Sequence, residues 1–143
     1  MICSSDVANG VLNINGYMGY KNLEFLAGIR RVVGKKEIRD SMERVGLDPE
    51  CRKKVGKYSL GMKQRLAIAQ AIMEDPQILI LDEPMSGLDD QGVEDIRKML
   101  LQLKEEGKTI LLASHNREDI EILCDEVYEM NQGRMKKAPA AIS

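Results

Sequence analysis

Two short aliphatic runs, Ile78-Leu79-Ile80-Leu81 and Ile110-Leu111-Leu112-Ala113, constrain the fold more than any other feature of this chain. Neither alternates apolar with polar residues, so both read as parallel strands covered on both faces, spanning Gln77 to Leu81 and Thr109 to Ala113. Between them Val93, Ile96, Leu100 and Leu103 recur at helical spacing, with Asp89 placed to cap the helix and Gly107 to end it. Strand, helix and strand in this order predict an α/β fold built on a βαβ unit with a right-handed crossover. Beyond the second strand, Ser114-His115-Asn116 leads into a short helix through Ile120 and Leu123. Val127 to Met130 and Arg134 to Lys136, on either side of Asn131-Gln132-Gly133, then predict a terminal hairpin.

The chain upstream is helical. Leu23, Phe25, Leu26 and Ile29 predict a helix over Lys21 to Arg31, and Ile38, Met42 and Val45 predict another over Lys35 to Val45. Gly46-Leu47-Asp48-Pro49 breaks the pattern, and a third helix is expected from Met62 to Glu74, closed by Pro76. Leu66, Ile68, Ala69, Ala71, Ile72 and Met73 leave that helix little polar face, so it should be largely buried. The expected organisation is an irregular segment over 1–19, helices over 20–75, an α/β core over 76–137 and a tail over 138–143. With 43% hydrophobic and 31% charged residues among 143, the composition is that of one globular domain rather than a disordered or collagenous chain. Twenty-one basic against 23 acidic side chains give no electrostatic footprint for nucleic acid, so no nucleic-acid partner is expected. The aliphatic runs fall far short of the roughly 20 residues that cross a bilayer, and Met1 to Gly10 shows no secretory pattern. Cys3, Cys51 and Cys124, without CxxC spacing, read as reduced thiols of a cytosolic protein.

Chemistry is expected at the carboxyl ends of the strands, where ligands bind in open α/β sheets. Asp82 and Glu83 follow the first strand directly, one suited to holding Mg²⁺ and the next to orienting a water for attack on a phosphate. A strand that merely stops at charged residues would look the same. His115, the one histidine, follows the second strand, although a lone histidine is more often a helix-start or core residue. Ser59 precedes the buried helix, and a serine cap with free backbone amides behind it suits an anion as well as it suits an ordinary helix start.

Order and spacing resolve these readings. The chain carries Tyr58-Ser59-Leu60-Gly61-Met62-Lys63-Gln64-Arg65, then Leu79-Ile80-Leu81-Asp82-Glu83-Pro84, then Ser86-Gly87-Leu88-Asp89, then Ser114-His115. From about Tyr20 to Lys137 it resembles the ATP-binding subunit of an ABC transporter. The resemblance implies a partial P-loop NTPase domain of ABC type, comprising a helical subdomain and the later part of the parallel sheet core. It implies a signature motif at Tyr58 to Met62, a Walker B strand at Ile78 to Asp82, a D-loop at Ser86 to Asp89 and a switch histidine at His115. On that basis Asp82 would position Mg²⁺ through water, Glu83 would polarise the attacking water and His115 would bond the γ-phosphate of ATP. Ser59, Leu60, Gly61 and Met62 would grip ATP held by the opposite subunit, and Asp89 would help build the dimer interface. The implied partners are a second ABC nucleotide-binding subunit and a transmembrane permease subunit, which would place the chain at the cytoplasmic face of a membrane.

Departures from the family pattern shape the expectation further. Leu60 stands where the first signature glycine is usual and Met62 where glutamine is usual, a variant that resembles prokaryotic exporter-type subunits. No GxxxxGKS or GxxxxGKT loop occurs in these residues. Gly107-Lys108-Thr109 has Gln102 in place of the first glycine and lies between a helix and a strand in the wrong order; Gly34-Lys35 and Gly56-Lys57 lack the following Ser or Thr. No glutamine precedes Gln64, so the family's glutamine loop is missing as well. The expectation is therefore a truncated chain unable to bind ATP alone, with its Gln77 to Leu81 strand exposed along the edge where a phosphate-loop strand would lie. A non-catalytic fragment or regulatory partner that binds a full-length ABC subunit or a membrane protein is the alternative, and a soluble ABC-type ATPase of the DNA-repair or translation kind ranks last.

Overall fold

The computed structural model describes residues 2–3 and 15–138. In chain order these form β1 (Ile2–Cys3), α1 (Gly19–Arg30), α2 (Lys35–Arg44), a 3-10 turn (Val55–Lys57), α3 (Leu60–Ile72), β2 (Ile78–Asp82), α4 (Asp90–Glu105), β3 (Thr109–Ala113), α5 (Arg117–Leu123), β4 (Tyr128–Asn131) and β5 (Arg134–Lys137). Short polar side chains start the later helices by accepting an orphan amide. Ser59 accepts from Met62 at 3.1 Å, Asp89 from Gly92 at 2.8 Å and Asn116 from Glu118 at 2.9 Å. Gly107 ends α4 with φ 86°, a left-handed turn that glycine takes without steric cost.

The amphipathic faces of α1 and α2 meet α3 in one hydrophobic core that includes Leu23, Ala27, Ile38, Met42, Val45 and Leu66. As its composition predicts, α3 is the most enclosed helix, with Leu66 to Gln70 and Ile72 all buried. The same core continues through Leu79 and Leu81 of β2 to Ile96, Met99, Leu100 and Leu103 on the inner face of α4. Helical region and sheet therefore share a single apolar interior.

The sheet departs from expectation in two ways. Its order is β1-β2-β3, all parallel, with Ile2 opposite Ile80 and Cys3 opposite Leu81 on one side of β2, and Ile78 to Asp82 opposite Thr109 to Ala113 on the other. Thus β2 is the central strand rather than an edge, and the opening segment expected to be irregular contributes a short strand at Ile2–Cys3; residues 4–14 lie outside the described residues, as do 139–143 of the expected tail. Coverage on both faces is also not what is found among the described residues. The face carrying Leu79 and Leu81 is sealed, but Ile78 is 59% and Leu111 62% exposed on the opposite face. An unbroken aliphatic run cannot distinguish a doubly covered strand from one whose second face is left open, because the period-2 signal is missing in both cases.

Downstream, Arg97 on α4 reaches across to α5. Its guanidinium donates to Asp119 Oδ1 from Nε at 2.9 Å and from Nη2 at 2.6 Å, with both side chains buried, and Glu94 and Glu118 complete the charge balance. The hairpin β4-β5 forms as expected, in a separate two-stranded antiparallel sheet with every residue exposed.

Candidate functional site

The two parallel strands deliver the candidate residues to one end of the sheet. Asp82 is the last residue of β2, half-buried, and pairs in register with Ala113 at the end of β3. Glu83 follows, and its amide donates to the Ala113 carbonyl at 2.8 Å, so the strand pairing extends one residue past β2. The Glu83 backbone then turns sharply, with φ 46°. A residue with a Cβ enters that region at a cost of roughly 1–2 kcal/mol, and Pro84 beyond it narrows the choice further. The result aims the Glu83 carboxylate at the loop after β3. There Oε1 accepts from the His115 amide at 3.0 Å and meets His115 Nδ1 at 2.6 Å. A contact of that length between a carboxylate and an imidazole nitrogen places a proton on Nδ1 and leaves Nε2 facing solvent from an exposed ring. Glu83 and His115 are thus in contact, and Asp82 immediately precedes Glu83 at the end of its strand.

The second group forms around the start of α3. Ser59 Oγ is committed to the Met62 amide as an acceptor, which leaves its proton and the amides of Leu60 and Gly61 directed beyond the helix terminus. Tyr58, just before, is buried with its hydroxyl against the first residue of α1: a Cβ on Gly19 would stand 2.5 Å from it. Burial pushes the Tyr58 phenol pKa above its ordinary value. The Leu60 side chain lies over Gly87, and a Cβ on Gly61 would meet the Gly87 carbonyl oxygen at 3.0 Å. The signature-like and D-loop-like segments of one chain are therefore in direct contact, and both glycines are required by that approach. Asp89 spends Oδ1 on capping α4. The Ser59 hydroxyl makes no hydrogen bond to Glu83 or His115 among the described residues; it accepts from the Met62 amide instead.

Two residues that the sequence reading left without a role join these groups. Gln64 Nε2 on α3 donates to the carbonyls of Glu83 at 3.3 Å and Pro84 at 3.1 Å. Arg65 Nη1 donates to the Val45 carbonyl at the end of α2 at 2.6 Å, while Nη2 stands 3.6 Å from Asp95 on α4. Gly46 and Gly92 make room for that guanidinium, since a Cβ on either would come within 2.4 Å and 2.9 Å of its nitrogens. The available signal was the polar run Lys63-Gln64-Arg65 near the start of a mostly apolar helix. Among the described residues no group of three or more histidine, cysteine or acidic side chains converges to cage a metal. A lone strand-end carboxylate suits Mg²⁺, which keeps water and substrate phosphates among its ligands.

A parallel sheet with an acidic pair on one strand, a histidine after the next, and a capped helix terminus alongside is the α/β fold of an ATP-binding cassette. It superposes on the post-hydrolysis dimer of the ATP-binding cassette MJ0796 bound to ADP and Pi with a TM-score of 0.76, at 26% identity, over 90% of this chain and 60% of that one. It also matches cbiO1 of Clostridium perfringens, part of the cbiONQ transporter complex, at TM-score 0.68 and 32% identity over 84% of this chain and 49% of that one. Residues 12–86 match the family described as ABC transporter, and the chain belongs to that family. It is 48% identical over 126 residues to the uncharacterised ABC transporter ATP-binding protein YybJ of Bacillus subtilis, covering 88% of this chain and 58% of that protein. It is also 48% identical over 118 residues to the bacitracin transport ATP-binding protein BcrA of Enterococcus faecalis, covering 82% of this chain and 38% of that protein. The chain therefore spans between about two fifths and three fifths of these curated relatives.

Proposed function

We propose that these residues form the hydrolytic strand ends and the signature face of an ATP-binding subunit that powers an ABC transporter. The observation that carries this reading is the contact of Glu83 with His115 at the carboxyl ends of adjacent parallel strands, next to Asp82. Glu83, with its carboxylate fixed by His115, is placed to accept a proton from a water as that water attacks a phosphate. In the imidazolium form both ring nitrogens carry protons, so His115 would hold Glu83 through Nδ1–H and donate Nε2–H toward the transferred phosphoryl group. Asp82 would hold Mg²⁺, which supplies charge neutralisation of the phosphates. Ser59 and the amides of Leu60 and Gly61 grip phosphate from the other side, on a nucleotide carried by a second ATP-binding subunit. The remaining partner is a transmembrane permease, which places the subunit at the inner face of a membrane; among the described residues no helix is long and apolar enough to cross one. With no GxxxxGKS or GxxxxGKT segment, these 143 residues by themselves do not cradle ATP.

A chimera tests the proposal. Splicing the matched residues of this chain into the Bacillus subtilis relative should give a protein with Mg²⁺-dependent ATP turnover, whereas the 143-residue chain alone should neither bind nor hydrolyse Mg-ATP. In the chimera, Glu83→Gln should lower kcat by about 10²–10⁴, the range for loss of a general base. Ser59→Ala should lower turnover as well. A chimera that folds and binds ATP but keeps full turnover with Glu83→Gln would overturn the assignment.

A further inference from the structure

The peptide units on both sides of Glu83 are held by different elements. Before it, the amide is bonded to the Ala113 carbonyl of β3 at 2.8 Å. After it, the carbonyls of Glu83 and Pro84 both accept from Gln64 Nε2, at 3.3 Å and 3.1 Å, across 19 and 20 positions of sequence. Between those restraints Glu83 sits at φ 46°. Strained backbone of this kind persists only where its surroundings over-determine it. The direction of the Glu83 Cα–Cβ bond, and with it the meeting of Oε1 with His115, follows from that backbone conformation.

We infer that Gln64 is a positioning residue for Glu83: its side-chain amide holds the two carbonyls after Glu83 so that the left-handed turn, and the carboxylate aim that depends on it, are maintained. Gln64 touches no reacting atom itself. It stands five residues after Ser59 on the same helix, about 7.5 Å along the axis, so one rigid element carries both the signature terminus and the support of Glu83. The functional importance of this support rests on the hydrolytic reading above, but the support itself does not, because it is a property of the chain without nucleotide.

The test uses the intact 143-residue chain in solution by NMR, with no ATP present. His115 is the only histidine, so its ring nitrogens give an unambiguous signal. In the wild type, Glu83 should show the short amide–Hα distance of a left-handed residue, and His115 Nδ1 should bear a hydrogen-bonded proton that Glu83→Ala removes. Gln64→Leu, which keeps bulk and loses both donors, should abolish the left-handed signature at Glu83 and move the His115 ring signals as Glu83→Ala does. The Met62 amide bonded to Ser59 should stay in place. Gln64→Lys, which restores a nitrogen donor at similar reach, should recover both features. If Gln64→Leu does not fold, Gln64→Glu, of equal length but with oxygens facing the two carbonyls, takes its place with the same expected losses. The inference is overturned if Glu83 is not left-handed in the wild type, if the donor-free variant keeps both features, or if Gln64→Lys fails to restore them. A purely structural Gln64 would lower resistance to urea without moving the His115 ring. Absence of ATP turnover in the chimera would sink the hydrolytic reading and leave these measurements unaffected.

Discussion

Gly87 excludes a side chain on two grounds. Its φ of 75° is left-handed, and a Cβ there would come within 2.6 Å of Leu60 Cγ. Gly87→Ala should therefore destabilise the chain by about 1–3 kcal/mol, the range for backbone strain with overpacking. Leu60→Ala should recover the part due to the clash and leave the part due to φ, which a double-mutant cycle in urea would separate. A cycle showing no coupling would mean that the two segments do not touch. The residue scale is also where sequence was most informative. The caps at Ser59 and Asp89 use short polar side chains against amides three positions away, and such local chemistry is visible in any linear string. The left-handed turn at Glu83 had no such mark, because a glutamate there is held by Ala113 and Gln64 rather than by its own preference.

At the scale of elements, the Arg97–Asp119 pair decides how α5 attaches to α4. The hydrogen bonds that Arg97 donates to Asp119, helped by weaker ones to Glu118 and Glu94, outweigh burial and push the arginine pKa further above its already high value. A base whose folded pKa is raised stabilises fully below its unfolded pKa and loses that contribution only as pH climbs through the folded value. For arginine both values lie far above the working pH range, so this joint should be as strong at pH 10 as at pH 7. Arg97→Met leaves the buried Asp119 carboxylate unpaired and should cost about 3–5 kcal/mol, while Arg97→Met with Asp119→Leu should be near neutral. Urea midpoints at pH 7 and pH 10 check both statements. If the two variants lose stability equally, the pair is not the joint. Helix positions were legible to within a few residues from periodicity and breakers. Helix α3 starts at Leu60 rather than Met62, because the Ser59 cap rather than the apolar stripe sets its first turn.

At the scale of the whole molecule, one face of the sheet carries exposed apolar side chains among the described residues. Ile78 and Leu111 are exposed on one face of β2 and β3, and the outer edge of β3, Thr109–Ala113, carries no charge or proline to discourage strand addition. The 143-residue chain should therefore associate as its concentration rises, seen as a climbing weight-average mass in sedimentation equilibrium. Leu111→Lys should suppress that association without lowering the urea midpoint by more than about 0.5 kcal/mol equivalent, as for an exposed substitution. A monodisperse monomer at all concentrations would show the face to be inert. By itself the sequence determined the order of helices and strands from α1 onward, the caps at Ser59 and Asp89 and the four motifs that mark the family, because each depends on periodicity or on residues a few positions apart. Tertiary structure alone decided that β2 is central, that one face of the sheet is exposed among the described residues, and that Gln64 and Arg65 tie α3 to Glu83 and to the neighbouring helices. Those facts rest on contacts between residues some twenty or more positions apart, whose energies depend on packing in three dimensions and leave no periodic trace in the chain.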